Sequence, residues 1–104
     1  MTQFEDRERA YEAKFAHDEE LRFKSLARRN KLLGLWAAAQ LGRAGDAADA
    51  YAKEVVRSDF AEPGDEDVFR KVRGDFNAAG VDITDEALRM KMRELLVEAA
   101  DQLS

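Results

Sequence analysis

ELRFKSLARRNKLLGLWAAAQL, residues 20–41, reads as the core helix of an all-α protein. Phe23, Leu26, Leu33, Ala37 and Leu41 form one stripe at helical spacing, widened by Leu32 and Trp36, with basic residues between them. Glu19 and Glu20 suit the positive end of the helix dipole, whereas Arg22 and Lys24 close behind them oppose it. Gly42 stands just past the C-terminus, where a left-handed residue commonly ends a helix, and Arg43-Ala44-Gly45 reads as a short connection. Leu32 to Ala39 is the longest apolar run, far short of the ~20 residues that a membrane span needs.

The pattern continues toward the C-terminus. A helix is expected from Asp46 as N-cap to near Phe60, burying Ala48, Tyr51, Ala52, Val55, Val56 and Phe60, before Glu62-Pro63-Gly64 breaks it. Asp65 is expected to cap a further helix with Val68, Phe69, Val72 and Phe76 inward and Gly80 at its end. The last helix has the clearest start. Thr84 is the N-cap, Ile83 can staple onto Leu88, and Asp85 and Glu86 fill the first turn. Leu88, Met92, Leu95, Leu96, Ala99 and Leu103 then face inward. Gly34 and Gly74 fall inside helical patterns, each costing roughly 1 kcal/mol against alanine. No stretch alternates with period two long enough for a strand. Residues 19–104 are therefore expected to form a four-helix bundle with short loops.

The N-terminal segment differs. From Phe4 to Asp18 the apolar residues Phe4, Tyr11 and Phe15 recur at spacings of seven and four, a narrow stripe in an otherwise charged or alanine sequence. A short helix of this kind is marginal alone in water. Residues 1–18 are thus expected to be a mobile, partly helical arm until something covers the stripe. Two covers are open: the protein's own bundle, or a partner.

Composition narrows the function. The chain has 104 residues, 45% hydrophobic and 38% charged, with a formal charge of −5. That fits one charged-surfaced helical domain and argues against a general nucleic-acid binder, which needs net cation density. With no cysteine, disulfides, thiolate zinc sites and a thiol nucleophile are all excluded, and a reducing compartment is the default. The polar, acidic first residues carry no signal peptide, so the expected location is the cytoplasm. Arg22, Lys24, Arg28, Arg29, Lys31 and Arg43 fall in residues 21–43 without a single acid. This basic stretch is either a solvated face or a docking surface for something anionic.

Chemistry is sparse. Ser25, Ser58 and Ser104 are the only serines and His17 the only histidine, with nothing to bring them into one cleft, so no nucleophilic machinery is expected. Asp65-Glu66-Asp67 lacks the spacing and central glycine of a calcium loop and reads as an acidic helix start. Gly42 and Gly45 are not followed by a P-loop lysine. His17, beside Asp18, Glu19 and Glu20, could serve as a pH sensor. A groove beside Trp36, lined by Arg28, Arg29 or Lys31, has the chemistry to admit ATP or ADP through stacking and phosphate contacts. Otherwise no cofactor or metal is expected.

Several blocks carry a family resemblance: FEDRERAYEAKFAHDEELRFK (4–24), ARRNKLLGLWAA (27–38), AYAKEVVRSDF (50–60), GDEDVFRKVRGDF (64–76) and AAGVDIT (78–84). The chain resembles the alphaproteobacterial zeta subunit, the inhibitor of the F-type ATP synthase, over essentially its whole length. The resemblance implies a mobile inhibitory N-terminus before a four-helix bundle, the terminus becoming helical as it enters a catalytic α/β interface. There it reaches toward γ and blocks rotation, so the implied partners are the α, β and γ subunits, met by a protein that is a monomer when free. By position the inhibitory segment is Thr2 to Asp18. Within it Phe4, Tyr11 and Phe15 are the expected apolar anchors, Arg7, Arg9 and Lys14 the expected partners of acids on the head, with His17 at the segment's end. Glu86 to Ser104 keeps only the amphipathic pattern of the family.

Overall fold

Start and stop signals resolve into five helices in a computed structural model that describes residues 2–59 and 64–103: α1 (Gln3–Phe15), α2 (Glu19–Gln40), α3 (Asp46–Arg57), α4 (Glu66–Ala79) and α5 (Asp85–Leu103). No strand occurs among the described residues, and the all-α class holds. Phe60, Glu62, Pro63 and Ser104, named above, lie outside the described residues.

Capping explains most of the boundaries. The Thr2 hydroxyl accepts from the Glu5 N–H at 3.1 Å, opening α1 two residues before the apolar pattern begins. Asp18, expected at the end of the arm helix, instead caps α2, its carboxylate accepting from the Leu21 N–H at 3.0 Å. Thr84 caps α5 as expected, accepting from the Ala87 N–H at 3.1 Å. Two caps differ. Gly45 rather than Asp46 precedes α3, and no side chain bonds to that helix's first N–H groups. Asp65 does precede α4, yet its carboxylate turns to Arg29 and leaves the cap unfilled. At the other end of α4, Gly80 takes φ 71°, and the Val81 N–H reaches back to the Phe76 carbonyl at 2.9 Å.

α2 is the spine, packing chiefly on α3 and α5. Leu33, Ala37 and Ala38 meet Tyr51 and Val55 of α3, Val68, Phe69, Val72 and Phe76 of α4, and Leu88 and Met92 of α5 in one buried cluster. Val97 and Ala100 of α5 are also buried, beyond the expected positions. Phe23, expected in the core stripe, is 74% exposed. At 100° per residue it lies about 80° around α2 from Leu33, and the side that turns inward there carries Ser25, Arg29 and Asn30.

α1 is not free of this body. It packs along α5 and touches α2, so the segment expected to be a mobile arm is here a docked helix, joined to α2 by the three residues 16–18.

Candidate partner-binding site

The arm's inner face carries four side chains at helical spacing: Phe4, Glu8, Tyr11 and Phe15. Only Phe15 is fully buried, at 4% exposure, and the other three are half-buried. The Tyr11 and Phe15 rings lie 5.1 Å apart and tilted, and the Lys14 ammonium stands 5.5 Å from the Phe15 ring centre. Burial raises the Tyr11 hydroxyl above the ordinary phenol range, although the charges of Arg22 and Arg29 pull the other way.

Glu8, absent from the expected anchors, is the best-held residue of the arm. Arg93 of α5 donates to both of its carboxylate oxygens, at 2.9 and 2.6 Å, a bidentate pair. The Arg93 hydrogen bond holds the Glu8 carboxyl below its usual value, against a smaller opposing effect of burial. The same guanidinium lies 5.5 Å over the Phe4 ring. Arg7 donates to Asp101 of α5. A stripe spaced four, three and four residues was the available signal for Glu8, but a charged side chain between aromatics reads as solvent-facing until its partner is seen. Arg9, Lys14 and His17 are exposed.

The proposed nucleotide set does not converge. Arg28 donates to Gln102 of α5 at 3.1 Å. Arg29, 1% exposed, bonds Asp65 at 2.6 Å and Asn30 at 2.8 Å, so it is already partnered inside the protein. Lys31 lines a cleft of about 540 Å³ with Asp49, Ala52, Lys53, Val56 and Arg57. Trp36 packs edge-on against Phe76 at 5.8 Å, with Lys91 5.6 Å over its ring. Arg28, Arg29 and Lys31 point about 60–160° apart around α2, and Trp36, on the same face as Arg29, stands about 10 Å further along the axis.

Catalytic groups are equally dispersed. Ser25 is buried with no hydrogen-bond partner for its hydroxyl, while Ser58 donates to the Val55 carbonyl at 2.6 Å. Asp65, Glu66 and Asp67 pair with Arg29, Arg89 and Arg70. Among the described residues no group of acids and histidine could hold a metal, and no helix is long and apolar enough to cross a membrane. The arrangement suits recognition by a helix face.

No curated protein sequence matches the chain. A solved solution NMR structure is 49% identical, covers 80% of this chain and 94% of its own, and superposes with a TM-score of 0.72. A family model described as ATPase inhibitor subunit zeta matches residues 1–102, the arm included. The chain belongs to the ATPase inhibitor subunit zeta family, whose members are regulatory rather than catalytic.

Proposed function

We propose that the protein inhibits the F-type ATP synthase by inserting residues 1–18 as a helix at a catalytic α/β interface, where they obstruct rotation of γ and stop ATP hydrolysis. The observation that carries this reading is a helix, α1, within the family match that buries only Phe15 fully and carries an aromatic stripe its own bundle covers in part. Residues 19–104 serve as the body that holds the arm near its target, raising its effective concentration. The enzyme head lies on the cytoplasmic side of the membrane, and the inhibitor meets it there as a monomer.

In this mechanism Phe4, Tyr11 and Phe15 fill apolar pockets of the receiving interface, while Arg7, Arg9 and Lys14 pair with its acids. Fixing a backbone costs on the order of 1 kcal/mol or more per residue. Aromatic burial at ~25 cal/mol per Å² offsets part of that, and an arm that is already helical starts with part of the ordering done.

The test adds the intact protein, and a form lacking residues 1–18, to the isolated enzyme head. Intact protein is expected to slow ATP hydrolysis and the truncated form to leave it untouched. Equal slowing by both, or by neither, would sink the arm mechanism.

A further inference from the structure

α1 crosses α5 through two ties of opposite polarity. Glu8 accepts from Arg93 at 2.9 and 2.6 Å, and the adjacent Arg7 reaches Asp101, eight residues further along α5 and about 12 Å away along its axis. Between and beside them, Phe4 lies beneath the Arg93 guanidinium, and Phe15 is buried. The rest of the seam is poorly filled. A cleft of about 450 Å³ opens beneath Tyr11 and Phe15, bordered by Arg22, Leu26 and Leu96, and a second of about 370 Å³ separates Phe4 and Arg7 from Glu94 and Glu98. Arg93 and Arg7 remain about half-exposed, at 50% and 49% of the side chain. One bidentate pair and one exposed tie over an unfilled seam make up most of the hold, so this helix can leave its seat without the bundle opening.

A helix cannot offer one stripe to two hosts. Phe4, Arg7, Tyr11 and Phe15, the side chains available to an outside partner, are those engaged with the bundle. Resting on the inhibitory role proposed above, we infer that the α5 seat, tied by Arg93 and Asp101, is a self-latch that competes with the enzyme for the arm. Only the unlatched fraction binds, so apparent affinity falls in proportion to that fraction. Arg93 and Asp101 then regulate inhibition without belonging to the inhibitory segment.

The full-length R93E protein tests this, since it sets a carboxylate against Glu8 and removes the cation over Phe4 at an exposed site that leaves the core intact. Amide hydrogen exchange of residues 4–15 is expected to quicken while the core of α2 to α5 keeps its protection. The concentration giving half-maximal inhibition of ATP hydrolysis is expected to fall about three- to tenfold, with R93K between wild type and R93E because lysine keeps the charge but not the bidentate pair. A converse variant, E8C/R93C in a chain with no other cysteine, is joined by a short bismaleimide. The joined form is expected to inhibit at least about tenfold more weakly than the same protein unjoined. Unchanged exchange in R93E overturns the latch. Faster exchange with unchanged inhibition, or equal inhibition by joined and unjoined protein, overturns the competition. Faster exchange with no inhibition by any form, wild type included, overturns the inhibitor reading and the competition that rests on it.

Discussion

Gly34 is where α2 and α3 come closest. A Cβ built there would stand 2.5 Å from the Cα of Ala52 and 3.3 Å from its carbonyl oxygen, both backbone atoms that cannot step aside. Gly34→Ala therefore gains helix propensity of about 1 kcal/mol but forces two helices apart. A net loss of about 2 kcal/mol is expected by chemical denaturation; unchanged or increased stability would contradict the packing. Phe23 makes the opposite case. Although it is one of the largest apolar side chains, Phe23→Ser is expected to shift stability by no more than about 0.5 kcal/mol, against about 3 kcal/mol for Leu33→Ala. Spacing alone sets Phe23 about 80° from Leu33, but a stripe drawn wide enough to take in Leu32 and Trp36 still admits it. What the sequence did not announce is that the inward side of this turn goes to Arg29 and Asn30, buried polar residues whose partners lie some 30 residues away in the chain. By contrast Val68, Phe69, Val72 and Phe76 were all legible, because α4 is amphipathic without a competing polar claim on its inner face.

At the scale of elements, the connection from α3 to α4 is tied down by α2. Arg29 donates to Asp65, and Asn30 donates through Nδ2 to Asp59 at 3.1 Å, so both ends of the connection are held by side chains buried in the spine. Asp65 gives up its capping bond to do this, which is why a sequence signal that usually marks a helix start marks here a long-range tie. Removing the acid strands a buried guanidinium, whereas removing the guanidinium frees Asp65 to cap α4. Asp65→Ala is accordingly expected to cost about 3 kcal/mol and Arg29→Met clearly less, compared in parallel urea melts. The reverse order would show that the buried charge is not what the acid serves. The arm's helix was legible for the same reason its docking was not. Phe4, Tyr11 and Phe15 announce an apolar stripe, but its seat depends on Arg93 and Asp101, more than 80 residues away in the chain.

For the whole molecule, one network contributes to the response at both extremes of pH. The Tyr51 hydroxyl donates to Asp75 at 2.8 Å, and Lys71 pairs with the same carboxylate at 2.9 Å and with Glu54 at 3.3 Å. Burial, then the neighbouring carboxylate, pushes the Tyr51 hydroxyl far above the phenol value of 10.0. Burial alone would raise the Asp75 carboxyl, but the bonds from Lys71 and Tyr51 outweigh it and hold the group below 3.8. For Tyr51, raised in the folded state, the stabilisation is complete below about pH 10 and is lost as pH climbs beyond it. For Asp75, lowered in the folded state, it is present above about pH 4 and is lost as pH falls through the depressed value. The melting temperature is thus expected to decline at both extremes. Tyr51→Phe, about 1 kcal/mol less stable at neutral pH, should show a shallower alkaline decline. An unaltered alkaline slope would place its origin elsewhere, Lys71 and Tyr11 being further groups with raised values.

The three residues 16–18 between α1 and α2 have a further consequence. A 13-residue helix measures about 20 Å, and three extended residues add at most about 10 Å. The tip of α1 thus stays within about 30 Å of the spine's first turn, whatever holds it. The molecule extends 38 Å along its longest axis, so its body is too broad to follow the helix into a narrow cleft. Under the proposed insertion the connection is a ruler and the body a stopper: covalent length sets the depth of entry, and lengthening this segment by a few residues is expected to change how far the tip goes before it changes how tightly it holds.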